Sequence, residues 1–312
     1  MSLSIGIMLP SRETAMTGRH DARGLIEFAR IAEESGFDSV WTGDSLLART
    51  RVDPLTLLAA VSAATFRVRL GTAALIGPLR TPLLTSAQAA TVDQLSGGRL
   101  ILGLGSGSPV PESRREFEAL AMPFRDRARR LDEAAEVWRQ AWTGQDRFSG
   151  RYWQIDGLDR GLPPARPGGP PLWLAGGDSD RVIARVAEGY DGWLPYLPDA
   201  RAYARAWVRI SELASRPITP AVYATVCIDD DRGRARDTLD TYTRAYYRQP
   251  LDVMSSFQAF CGGSAQECAS WLSGYLEAGA RHLVLRIGAL DPHPEMLAER
   301  LLPLLRQAGS SL

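Results

Sequence analysis

The chain has 312 residues, 45% hydrophobic and 23% charged, with 36 basic and 36 acidic side chains that cancel to a net charge of zero. This is the composition of a globular protein with a sizeable core, with disorder expected only over Gly309 to Leu312. No basic run exceeds a pair and no apolar run approaches the roughly 20 residues of a membrane span, so nucleic acid and bilayer are set aside as partners.

The start "MSLSIGIMLP" lacks the basic region and cleavage site of a signal peptide, and a cytoplasmic location is expected. Cys227, Cys261 and Cys268 have no metal-type spacing and read as reduced core thiols. All 36 basic residues are Arg, with neither Lys nor Asn anywhere in the chain. Schiff-base chemistry on lysine is therefore excluded, and so is a phosphate-binding loop of the Walker type.

In chain order, "LSIGIML" (3–9) reads as a buried strand and residues 22–36 as a helix stopped by Gly36. A strand over 38–42, a helix over 54–64, a strand over 68–75 and a helix over 82–95 follow. "LILGLG" (100–105) is the fourth strand and 125–142 the fourth helix. An excursion rich in Gly and Pro covers 143–170, with "RFSGRYWQI" as a small hairpin. Alternation then resumes with strands at 171–175, 191–195, 221–228 and 282–287. Helices are read at 178–188, 199–213, 233–247, 264–278 and 294–307.

Eight strand–helix units with near-continuous apolar strands point to a parallel sheet buried on both faces. The simplest closure is an α/β fold of the (β/α)8 TIM-barrel type over residues 1–312, a single domain with a short insertion between units 4 and 5. A doubly wound open sheet of two lobes is the competing arrangement.

In a barrel of this kind, function lies at the C-terminal strand ends. Those positions include Asp44–Ser45, Ala73–Ala74, Ser106–Gly107, Ala175–Gly176–Gly177–Asp178, Trp193, Tyr196, Asp229 and Arg286. The stretch "LILGLGSGSP" is not a dinucleotide fingerprint, since Ser108 stands where the third glycine of G-x-G-x-x-G belongs. His20, His282 and His293 do not converge on a metal site. Asp178 reads as the N-cap of the fifth helix and Asp229 opens the turn "DDD", so a glycosidase pair is missing. No nucleophile elbow or triad is readable. What remains is a carboxylate-poor site of small residues, suited to a large planar cofactor that brings its own reactivity. The glycine-rich turns after strands 4 and 5 each lead toward a helix, where backbone N–H groups suit a phosphate.

The segments "IAEESGFDSVWTGDS", "VRLGTAALIGPLRTPLLTSAQAATVDQLSGGRLILGLGSGSP", "RPGGPPLWLAGGDSDRVIARVAEGYDGWLP" and "GSAQECASWLSGYLEAGARHLVLRI" resemble the bacterial luciferase-like superfamily of flavin- and F420-dependent oxidoreductases. The resemblance implies a (β/α)8 barrel, commonly dimeric, binding FMN or the deazaflavin F420 at the strand ends. It implies a non-prolyl cis peptide at Ala73–Ala74 behind the flavin ring and a phosphate site at Ala175, Gly176, Gly177 and Asp178. Ser106 and Gly107 would line the ring or ribityl side, and Asp44 matches the family's carboxylate after strand 2.

Two positions depart from the family. Ser45 replaces a common His and Ser108 a common Glu, which disfavours an alcohol or sugar-phosphate dehydrogenase. Asp44 and Ser45 stand as catalytic candidates. Ser108, Trp193, Tyr196 and Arg286 are substrate candidates, Arg286 for an anionic group. The expected activity is F420-dependent hydride transfer to or from a small organic substrate. F420 is favoured over FMN by the Lys-free, GC-rich coding and the short excursion. An FMN monooxygenase served by a separate reductase and a non-catalytic flavin-binding protein are the alternatives.

Overall fold

Local signals set the element ends. Asp53 accepts from the Thr56 N–H ahead of Pro54, and Gly97 closes a helix in the left-handed conformation. The computed structural model describes residues 2–18 and 20–310. Its first elements are β1 (Ser4–Met8), α1 (Glu13–Met16), α2 (Ala22–Glu34), β2 (Ser39–Thr42), α3 (Pro54–Ala64), β3 (Arg69–Thr72) and β4 (Leu75–Ile76). Next come α4 (Pro82–Ser96), β5 (Leu100–Gly105), α5 (Pro111–Ala119), α6 (Arg127–Trp142), β6 (Arg147–Ser149), β7 (Gln154–Asp156) and β8 (Leu172–Leu174). They are followed by α7 (Asp180–Gly189), β9 (Gly192–Trp193), α8 (Ala200–Leu213), β10 (Thr219–Ile228), α9 (Arg232–Tyr247) and α10 (Leu251–Ser255). The chain ends with β11 (Phe260–Gly263), α11 (Ala265–Glu277), β12 (His282–Ile287), α12 (Pro294–Arg300) and α13 (Leu302–Ser310).

The strands β1, β2, β3 (continued by β4), β5, β8, β9, β10 and β12 each lead into helix, the (β/α)8 order expected. The hairpin β6–β7 lies in the expected insertion and pairs antiparallel. Helix α5 and the elements α10 and β11 were not anticipated. The helix expected over 294–307 is two, α12 and α13, with Leu301 between them; Pro303 has no N–H to continue a single ladder. Gly309 and Ser310 are helical in α13, against the disorder expected there, while Ser311 and Leu312 lie outside the described residues.

Two compact units make up the chain, Thr42–Trp173 and the remainder. In the first, β3 pairs parallel with β5, and β4 pairs with the end of β5. Ala73 N–H reaches the Thr42 carbonyl at 2.7 Å, and Leu102 N–H the Pro171 carbonyl at 2.9 Å. In the second, β12 pairs with β1 and β10, β1 with β2, and β10 with β9 and β11, all parallel.

Gly6 of β1 admits a buried network there. Trp41 Nε1 donates to Ser39 Oγ at 2.8 Å, and His282 Nε2 lies 2.9 Å from the same oxygen. A Cβ on Gly6 would collide with Ser39 and Trp41, so this glycine is a condition of the network. His282 is thereby a satisfied core residue. Among the described residues, no helix is long and apolar enough to cross a membrane.

Helix α11 opens on a capping box: Ser264 Oγ accepts from Glu267 N–H, and the Glu267 carboxylate accepts from Ser264 N–H at 2.8 Å. The Arg232 guanidinium first, then the Ser264 N–H and hydroxyl, lower the Glu267 pKa from the usual 4.5 to about 2. A carboxyl with a depressed folded pKa stabilises above its unfolded value and loses that contribution as pH falls toward 2. E267Q is therefore expected to flatten the acid limb of stability between pH 4.5 and about 2, read as urea midpoint against pH.

Candidate active site

Three strand ends in the unit Thr42–Trp173 carry small residues, Gly43, Ala73–Ala74 and Gly105, and the Arg51 guanidinium fills the space a Cβ on Gly43 would take. The single strand expected over 68–75 is two strands, divided at Ala73–Ala74, whose peptide bond is cis as the resemblance implied. Thr72 Oγ1 donates to the Gly103 carbonyl at 2.8 Å and keeps β3 against β5 up to the break. A Cβ on Gly105 would stand 3.3 Å from the Ala74 Cβ, and one on Gly43 would stand 3.5 Å from the Ala73 carbonyl oxygen. Gly43, Ala73–Ala74 and Gly105 are thus immediate neighbours. Gly107 has φ +94°, and a Cβ there would come within 2.9 Å of the Phe117 ring, so only glycine suits the turn. Ser106 is half-buried beside it and Ser108 is exposed.

Asp44 ties this surface down. Its Oδ2 accepts from the Ile76 N–H at 2.9 Å and from Arg80 Nε at 3.3 Å, while Oδ1 accepts from Arg80 Nη2 at 3.0 Å. Arg80 Nη2 also lies 2.8 Å from Asp53 Oδ2. The Asp44 side chain is 3% exposed and that of Arg80 12%. Burial works against the Arg80 charge, but Asp44 and then Asp53 outweigh it, and the pKa is raised.

Ser45 is buried, and its hydroxyl donates to Glu116 Oε1 at 2.8 Å while accepting from the Arg49 N–H. Glu116 Oε1 also accepts from the N–H groups of Leu47 and Ala48, while its Oε2 is buried without a partner. The sequence reading missed Glu116 because it missed α5. The available signal was Pro111 as a helix start with Ser113, Glu116 and Phe117 at helical spacing.

After β8 come Ala175, Gly176 and Gly177, all half-buried, and then the exposed Asp178, residues of the other unit. Asp178 is not the N-cap expected of it. Helix α7 begins at Asp180 after an extended Ser179, the glycine pair having lengthened the turn. Trp193 donates to the Gly177 carbonyl at 3.3 Å and stacks on Tyr203 with centroids 4.9 Å apart. It has no exposed surface and holds this turn from the core. Tyr196 is 38% exposed.

Arg286, near the end of β12, is 6% exposed, with its guanidinium carbon 4.4 Å from the Tyr246 ring centroid and 5.3 Å from that of Tyr223. The tyrosines come from β10, the neighbouring barrel strand, and from the C-terminal turn of α9. Among the described residues no cluster of His, Cys, Asp and Glu is arranged to hold a metal ion, and all three cysteines are free.

Eight strand–helix units with small residues at the ends of β2, β3 and β5 define a (β/α)8 protein. More specifically, residues 3–282 match the luciferase-like monooxygenase family, and the chain belongs to it. It is 27% identical over 217 residues to the 5,10-methylenetetrahydromethanopterin reductase of Archaeoglobus fulgidus, covering 67% of this chain and 62% of that one. It is 28% identical over 323 residues to the F420-dependent glucose-6-phosphate dehydrogenase of Amycolatopsis mediterranei, covering 92% and 96%. The crystal structure of the monooxygenase RslO1 from Streptomyces bottropensis shares its fold, with a TM-score of 0.80 at 21% identity over 96% and 99% of the two chains.

Proposed function

We propose that the protein is an F420-dependent oxidoreductase that moves a hydride between the deazaflavin and a small organic substrate. The observation that carries this reading is the Ala73–Ala74 segment packed beside Gly105, where only backbone and methyl groups stand to lie against a flat ring. A bound deazaflavin supplies the hydride at its C5, so the protein's own task is binding, orientation and shielding. Ala73 and Ala74 back the ring, with Ser106 and Gly107 beside it. Asp44 positions the wall by holding Ile76 and Arg80. Ser45 and Glu116 hold the loop that follows β2. With Ser45 bonded on both sides and Ser108 exposed, the proton of the reaction comes from solvent or substrate. The family membership supports this class of chemistry.

Titrating the protein separately with F420 and with FMN, followed by absorbance and fluorescence, tests the cofactor. Saturable F420 binding with weak FMN binding is expected. Tight FMN binding without F420 binding would replace this reading with an FMN oxygenase fed by a separate reductase.

A further inference from the structure

Arginine side chains in this protein show what the Nε–Nη2 edge of a guanidinium does when it is satisfied. Arg80 places both nitrogens on Asp44, and Arg234 places both on Asp229 at 3.0 and 2.7 Å. Arg286 differs. Its Nη1 donates to the Tyr247 hydroxyl at 3.4 Å, its Nε is buried with no partner, and no carboxylate among the described residues forms an ion pair with it. A buried cation without a counter-charge is costly, and arginine cannot escape the cost by losing its proton.

A second orphan lies next to the first. Thr225 of β10 is in register with Arg286 of β12, and its Oγ1 is also buried without a partner. Both side chains leave the sheet on one face, since Tyr223, two residues before Thr225, brings its ring to the Arg286 guanidinium. Thr225 is 1% exposed.

Arg12 and Arg286 each lie 4.4 Å from the centroid of the Tyr246 ring, and Glu13 is the carboxylate next to Arg12 in the chain. Glu13 is already engaged, accepting the Tyr242 hydroxyl at 2.6 Å and the Arg12 N–H at 3.2 Å. Aromatic rings approach the guanidinium and leave its forked edge for an in-plane acceptor, the geometry in which a carboxylate binds bidentately.

We infer that Arg286 and Thr225 form the binding subsite for a carboxylate carried by the substrate, with Tyr223 and Tyr246 packing against it. The inference rests on the proposed function only in taking the ligand for a substrate rather than a regulator.

Benzoate and its neutral isostere benzamide are the probes, titrated calorimetrically into the full chain. Benzoate should bind saturably, with benzamide weaker by about 30-fold because it lacks the charge that Arg286 pairs with. R286M should abolish benzoate binding. R286K, which keeps the charge but loses the fork, should weaken it by about 10-fold, and T225V by about 5-fold. Equal binding of benzoate and benzamide, or benzoate binding unchanged in R286M or R286K, would overturn the subsite. The affinities for F420 and FMN, measured in the same variants, separate a substrate carboxylate from a cofactor's acidic tail. Unchanged cofactor affinity supports the substrate, whereas weakened affinity with benzoate competing against cofactor overturns it. A chain that binds neither cofactor but still needs Arg286 for benzoate would end the proposed function and leave the anion site standing.

Discussion

Asp44→Ala is expected to lower stability by about 3 kcal/mol, the lower end of what breaking a buried ion pair costs, because Arg80 keeps Asp53 as a second partner. The substitution strands two donors at once: the Arg80 fork and the Ile76 N–H, which is part of β4. A shift of the urea midpoint at constant m-value is the measurement. D44N, which keeps an acceptor for one of the two, should fall between wild type and D44A. Cofactor affinity is expected to drop by about 10-fold or more in D44A, since Ile76 continues directly from the cis Ala73–Ala74 segment and loses its anchor. Wild-type stability in D44A would mean that Asp53 alone holds Arg80.

Asp44 was legible as the carboxylate after the second strand, but Arg80 was not legible as its partner. Periodicity reports which way a side chain faces within its own element, not which distant element it meets. Elements with strong local codes came through intact: β12 covers the apolar run "HLVLRI", and α3 begins where Asp53 and Pro54 announce it. The strand over 68–75 divides in two, and nothing in "VRLGTAAL" marks the break at Ala73–Ala74, after which β4 resumes parallel pairing with β5 one residue out of the earlier register. Helix α5 was hidden by its charge, since "PESRREFEA" buries only Ser113, Glu116 and Phe117. Of the tyrosines around Arg286, Tyr223 lies on β10 and Tyr246 on α9. Their role depends on a contact between α9 and β12 that no local pattern encodes.

Gly105→Leu separates the Ala73–Ala74 and Gly105 surface from the fold that carries it. Gly105 ends β5 in ordinary backbone geometry, half-buried, so a side chain there meets no forbidden φ, and β5 pairing should persist. The new Cβ begins 3.3 Å from that of Ala74, and the branched end of leucine then covers the backbone on which the proposed ring lies. Affinity for the cofactor is expected to fall by about 100-fold, equivalent to about 2.7 kcal/mol, with the circular dichroism spectrum unchanged. G105A adds only the Cβ and should lose less than about 10-fold, because the Ala74 methyl needs to give by a few tenths of an ångström. The ratio between the two variants is the informative quantity. A graded loss from alanine to leucine locates a flat ligand on this surface, because only a ligand in contact with the strand end feels the length of the side chain. Equal, small losses in both would place the ring elsewhere and leave Gly105 as a packing residue beside Ala74.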